Sequence, residues 1–273
     1  MLFLLIHYEA VTRLRCLSHV RTRSTRSSMR TYHCLTREYL IILIGCSISY
    51  SKGSCVLRMV SKWLGEETFL EGIRRYLKKH AYGNTQTTDL WAALSDASGK
   101  DVEKVMQIWT RNVGYPVVTV TEDKASSTIH VKQNRFLKTA DVKPEEDETL
   151  YPVFLALRTK DGVDEELTLF NREHSFKTDL DFFKINADHS GVYRTYYSSE
   201  RLQKLGEAAK AGKLSVEDRA GMVADAGALS ASGYQPSSGT LSLLKGFSAE
   251  SEFVVWQEIT GKLHLLMCML VQC

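Results

Sequence analysis

The sequence predicts a multidomain α+β protein: an α-helical segment, then a small antiparallel β-sandwich, then the start of a second α-helical domain. Three observations carry this. From about residue 50 apolar residues recur at steps of three and four; from Val113-Gly-Tyr-Pro116 the pattern becomes short β-branched and aromatic runs between turn residues; from Ser199 the helical spacing returns. With 273 residues, 44% hydrophobic and 25% charged, the chain can bury a core. Its four prolines and lack of a long apolar run argue against a collagen-like, fully disordered or polytopic membrane protein, and no membrane span is expected.

In chain order, residues 1–44 come first, with seven arginines, no lysine and two acids, Glu9 and Glu38. The run Arg21-Thr-Arg-Ser-Thr-Arg-Ser-Ser-Met-Arg30 suits a mitochondrial presequence better than a secretory signal, which wants its positive charge before the apolar run. The reading favoured here is a leader not evolved for this fold, such as translated intron or a misplaced gene start. Next, Val56, Leu57, Met59, Val60, Trp63 and Leu64 mark a helix that ends at Gly65. Phe69, Leu70, Ile73, Tyr76 and Leu77 mark a second, closed by Lys78-Lys79-His80, whose charges suit the negative end of a helix dipole. Thr88 or Asp89 is expected to cap a third helix bearing Leu90, Trp91 and Leu94, and Asp101 a fourth bearing Val102, Val105, Met106 and Trp109.

Strands are expected over 117–121, 128–133, 151–159, 166–170, 182–186 and 191–197, with turns at Glu122-Asp123-Lys124, Asp161-Gly162 and Asp188-His-Ser-Gly191. Such spacing favours antiparallel pairing over a parallel sheet with crossover helices. Lys143-Pro-Glu-Glu-Asp-Glu148 reads as a solvated loop. Leu214-Ser-Val-Glu-Asp218 reads as a loop and cap before a helix running through Ala228, residues 230–238 as a Gly/Ser/Pro linker, and two more helices follow. The last residues, from Leu263, form an apolar tail without a terminating signal.

The net charge of +3 resides in the leader, which is +5 by count, so the remaining residues sum to −2 and offer no strongly basic surface to nucleic acid. Cys55 is the one cysteine between Cys46 and Cys268, which points to a reducing compartment, and no CxxC pair exists for a zinc ribbon. The sequence has no His-Glu-x-x-His, P-loop, G-x-G-x-x-G or G-x-S-x-G motif, and the eight histidines are scattered. His80, His130, His174 and His189 read as surface or packing residues, and Ser51 and Ser54 have no local base.

Ser49-Tyr-Ser-Lys-Gly-Ser-Cys-Val-Leu-Arg-Met-Val60 resembles a segment of the gluzincin zinc aminopeptidases, the group of puromycin-sensitive and alanyl aminopeptidases, with the fungal cytosolic enzymes the best match. The likeness continues through Trp63-Leu-Gly-Glu66, Gly72-Ile-Arg-Arg-Tyr-Leu77, Tyr82-Gly-Asn-Thr85, Asp89-Leu-Trp91, and Trp109 with Gly114-Tyr-Pro116. Gly191-Val-Tyr-Arg-Thr-Tyr196 resembles the end of the family's β-sandwich, and Leu214-Ser-Val-Glu-Asp-Arg219 the opening of its superhelical C-terminal domain. The resemblance covers about residues 48–260 and implies these domains: a non-homologous leader over 1–47, the end of the catalytic domain over 48–114, the sandwich over 115–198, the first helices of the C-terminal domain over 199–262, and a non-homologous tail over 263–273.

In the family, zinc held by two histidines and a glutamate activates a water, and the motif's own glutamate is the general base. Those positions and the Gly-x-Met-Glu-Asn motif that holds the substrate's amino group are not in this sequence. The resemblance therefore implies a cytosolic fragment with no cofactor of its own, zinc belonging to the parent family, and no turnover alone. Peptides are the parent's substrates; association with a full-length enzyme is left open, and the leader leaves a mitochondrial location open. One catalytic residue carries over: Tyr50, matching the family tyrosine that donates a hydrogen bond to the developing oxyanion. The rival reading is a catalytically dead interaction module.

Overall fold

The computed structural model describes residues 52–271. The leader, Tyr50 and the last two residues of the expected tail lie outside the described residues. The chain divides into two compact units, Met1–Val60 and Ser61–Cys273. Of the first, the described part is Lys52 and most of helix α1 (Gly53–Leu64), on which Val56, Met59 and Val60 are buried as their spacing predicts.

In the second unit, α2 (Glu66–Lys79) begins after Gly65, whose φ of 82° is one that a side chain would resist. Acids open α2 and Lys78 and Lys79 close it, each sign matching its end of the dipole. Helix α3 (Thr87–Ser98) starts slightly earlier than expected, with Gln86 at the cap position. Asp89 lies inside the first turn, where its carboxylate reaches back to accept the Gln86 N–H at 2.8 Å. In α4 (Val102–Arg111), Asp101 caps as expected, accepting the Lys104 N–H at 3.1 Å. Trp91, Leu94, Val102, Met106 and Trp109 form the buried face of α3 and α4.

The sandwich region has three small sheets. Strands β1 (Pro116–Asp123) and β2 (Thr128–Arg135) form an antiparallel hairpin in register from Pro116↔Arg135 to Asp123↔Thr128. The expected strand over 151–159 is two, β3 (Val153–Phe154) and β4 (Leu157–Thr159), because Ala156 at φ 43° redirects the chain from one sheet to another. Strand β5 (Gly162–Asp164), which was not anticipated, returns on β4 after the Asp161-Gly162 turn. The next expected run shortens to β6 (Thr168–Leu169), paired with β3.

Strand β7 (Glu173–Lys177) was also unanticipated. It is an exposed, mostly polar edge strand without hydrophobic alternation, held by backbone pairing to β2. The last two runs shorten to β8 (Phe183–Lys184), paired with β4, and β9 (Arg194–Tyr196). The other pairs are antiparallel as expected, and β9 is the exception: it lies parallel to β1, Val117↔Arg194 through Thr119↔Tyr196. Because β8 belongs to a different sheet, the chain reaches β1 by crossing over and not by a hairpin.

Two tryptophans join the first helices to this region. Trp109 donates its Nε1–H to Pro152 O at 3.2 Å and tilts against Tyr151, and Trp63 stacks on Phe154 at 4.7 Å. The second helical layer is α5 (Ser199–Lys210), α6 (Val216–Ala231), α7 (Ser237–Lys245) and α8 (Phe253–Val271). Ser198 and Ser215 hydroxyls cap α5 and α6 by accepting the Arg201 and Asp218 N–H groups. Helix α6 runs three residues past Ala228, which shortens the linker to residues 232–236. The residues from Leu263 continue α8 to Val271, since an apolar run without Gly or Pro has nothing to end a helix.

Candidate functional site

The Tyr-x-Lys-Gly motif places its glycine, Gly53, at the first residue of α1. Tyr50 lies outside the described residues, so no geometry accompanies it. Partial burial draws the Lys52 ammonium below the ordinary lysine range. The described histidines are spread apart: His130 Nδ1 meets Ser175 Oγ at 2.6 Å, His174 stacks beside Phe176, and His80 tilts against Tyr76. Among the described residues no three His, Cys, Asp or Glu side chains converge as metal ligands do. The described residues offer no ligand set that fits a zinc ion.

What the structure does assemble is a buried charged joint between the sandwich and α6. Asp218, Met222, Asp225 and Leu229, at steps of four, three and four, share one face of the helix and point at the sandwich. Asp218 is fully buried and is held by three segments: it accepts from Lys184 Nζ on β8 at 2.8 Å and from the Asp188 N–H at 2.7 Å, and it pairs by charge with Arg158 Nε on β4 at 2.9 Å. Burial by itself would raise this carboxyl, but the charges of Lys184 and Arg158 outweigh it and hold Asp218 below the usual aspartate range. Lys184, 2% exposed, also donates to Ile185 O and Asn186 O, which satisfies all three of its hydrogens.

Around Asp218 the turn at residues 186–189 holds three non-glycine residues at positive φ: Asn186 at 64°, Asp188 at 55° and His189 at 49°. Such backbone persists only where its surroundings fix it. Here Asp218 takes the Asp188 N–H, Arg158 pairs with the Asp188 carboxylate at 2.7 Å, and Asn186 Oδ1 accepts the Gly191 N–H at 2.7 Å. His189 lies so close to Gly221 on α6 that a Cβ there would stand 2.3 Å from the ring. Lys62, in the last turn of α1, approaches Asp188 at 3.9 Å in a half-exposed pair of small energetic weight.

Two α6 turns further on, Asp225 accepts from Arg194 at 2.9 Å and from the Thr195 N–H at 3.1 Å, which anchors β9. Leu229 then packs with Val117 and Phe136, beside Tyr234. Arg201 on α5 adds a second tie, a fork onto Glu122 of β1 at 2.8 and 2.6 Å with its guanidinium over the Phe183 ring. The joint offers no nucleophile with a base and an oxyanion site, and its chemistry is that of a structural clamp. Reading 214–218 as only a loop and cap missed it. The available signal was a pair of aspartates seven residues apart on the apolar face of an alanine-rich helix, where an acid demands a partner.

Two family domains match the chain. Residues 23–109 match the peptidase family M1 domain, and residues 182–271 match the ERAP1-like C-terminal domain. Aminopeptidase 2 of Candida albicans is 58% identical over 219 residues, which is 80% of this chain and 24% of that protein. Aminopeptidase 2, mitochondrial, of Saccharomyces cerevisiae is 54% identical over 218 residues, 80% of this chain and 23% of that protein. The alanine/arginine aminopeptidase of the same yeast is 53% identical over 221 residues, 81% of this chain and 25% of that protein. The chain thus spans about a quarter of the length of the curated relatives it matches. With a match to the peptidase family M1 domain followed by a match to the ERAP1-like C-terminal domain, and with these aminopeptidases among its relatives, the chain is similar to a fragment of a gluzincin aminopeptidase of family M1.

Proposed function

We propose that this chain supplies the end of the catalytic domain (48–114), the β-sandwich (115–198) and the first C-terminal helices (199–262) of a cytoplasmic metallo-aminopeptidase that removes N-terminal residues from peptides. In this reading Tyr50 donates a hydrogen bond to the oxyanion that forms as the scissile carbonyl becomes tetrahedral. The zinc and the acceptor of the substrate's amino group are supplied by residues outside this chain, and the chain alone is inactive. The observation that carries the proposal is the 58% identity over 219 residues to an aminopeptidase, together with the Tyr50-Ser-Lys-Gly53 motif.

A chimera tests it: residues 48–260 replace the matching segment of the Candida albicans relative, and hydrolysis of an aminoacyl anilide is followed with zinc content. The chimera is expected to turn over, and Tyr50→Phe within it to lower kcat by about 10²–10³ at unchanged zinc content, the usual cost of losing one oxyanion donor. A Phe variant that keeps its kcat removes Tyr50 from the mechanism. Stoichiometric zinc and turnover in the isolated chain would overturn the claim that the chain is inactive alone.

A further inference from the structure

Where β8 and β9 meet α6 there is a small cavity of about 10 Å³, lined by Lys184, His189, Thr195, Tyr197, Met222 and Asp225 among others. A single water needs roughly 10–15 Å³ on this measure and at least two polar partners. The lining residues differ in what they have left to give. Lys184 spends its three hydrogens on Asp218, Ile185 O and Asn186 O, and the Tyr197 hydroxyl accepts the Ile185 N–H at 2.8 Å and donates to Ile185 O at 3.3 Å. Thr195 is 4% exposed, and its Oγ1 has no protein partner. Each Asp225 oxygen takes one protein donor, Arg194 on Oδ1 and the Thr195 N–H on Oδ2, and a carboxylate oxygen accepts more than one. A buried hydroxyl donor and a buried carboxylate with spare lone pairs thus line one water-sized space.

We propose that the joint between the sandwich and α6 takes one buried water as a structural ligand, accepting from the Thr195 hydroxyl and donating to the Asp225 carboxylate. The water gives Thr195 the partner that a buried hydroxyl requires and extends the Asp225 clamp to the β9 side chain. It lies on the stripe that includes Asp218, two turns away, so hydration here is part of how the two layers hold register.

The sign of a stability change separates a wet joint from a dry one. In the full chain, Thr195→Val keeps the volume and removes the hydroxyl. If the water is there, valine strands it with one partner, and the melting temperature falls by a few degrees while Thr195→Ser retains most of it. If the space is dry, valine removes an unsatisfied buried polar group and the melting temperature rises. A rise, or no change, overturns the proposal. A crystal structure of the unsubstituted chain decides independently of whether the variant folds: density about 2.5–3.0 Å from Thr195 Oγ1 is expected, and a clear map with none there rejects the water.

Discussion

Replacing Asp218 by asparagine tests whether the buried joint holds the sandwich to the C-terminal helices. The change preserves shape and one acceptor oxygen and removes the charge. Lys184, 2% exposed, would then keep its contacts to Ile185 O and Asn186 O but lose its counter-charge, while Arg158 retains Asp188. Removing one partner of a buried pair costs about 3–5 kcal/mol, most of it the uncompensated charge left behind. With a urea slope of about 2–3 kcal/mol/M for a domain of this size, the unfolding midpoint should drop by roughly 1–2 M. Adding Lys184→Met to Asp218→Asn removes the stranded ammonium and should recover much of the loss, a non-additivity that a double-mutant cycle reads directly. If Asp218→Asn costs under about 1 kcal/mol, or the two changes simply add, the joint is not the clamp described here.

Acid should weaken the same joint. Asp218 and Glu250 both titrate below their ordinary values in the folded chain: against the upward push of burial, Lys184 and Arg158 lower Asp218, and Arg219 with backbone donors lowers Glu250. Their contribution is therefore complete above the unfolded carboxylate range near about 4 and is lost as pH falls through the lower folded values. Melting temperature against pH should fall below about pH 4, and less steeply for Asp218→Asn; a parallel curve for that variant contradicts the assignment. At the α5–α7 contact, a Cβ on Gly246 would stand 2.2 Å from Gly206 O and 2.3 Å from Gly206 C, both backbone. Gly246→Ala should force the helices apart at a cost of about 1–3 kcal/mol or more, whereas Gly53→Ala, with nothing within 4 Å, should not destabilise; equal melting temperatures for the two would refute the close approach.

Much of this architecture is legible because its signals are local. The apolar spacing of α1 to α4, the Gly65 stop, the Asp101 cap and the β1–β2 hairpin each depend on residues within one element or two neighbours in the chain. The misses share a cause as well. Strand β7 has no hydrophobic alternation because it is an exposed edge, so its only signal is a backbone partner on β2, about forty residues earlier in the chain. The break at Ala156 and the parallel seat of β9 depend on which sheet receives each strand. Motif resemblance singled out Tyr50, but a motif carries no distances, and the joint that the structure does display was hidden behind a reading of residues 214–218 as a cap.

By itself, then, the sequence determined the order of helices, strands and helices, the placement of most caps, and the likeness to M1 aminopeptidases, since all of these follow from periodicity and short motifs. Only the tertiary structure decided that Asp218 and Asp225 face inward and that Lys184, 2% exposed, is the buried counterpart of Asp218 while Arg194 is that of Asp225. It also decided that the left-handed turn around Asp188 is fixed by a carboxylate thirty residues away. A charge in a sequence reads as solvent-facing until the fold supplies a partner, and the low dielectric around that partner is what makes the pairing obligatory.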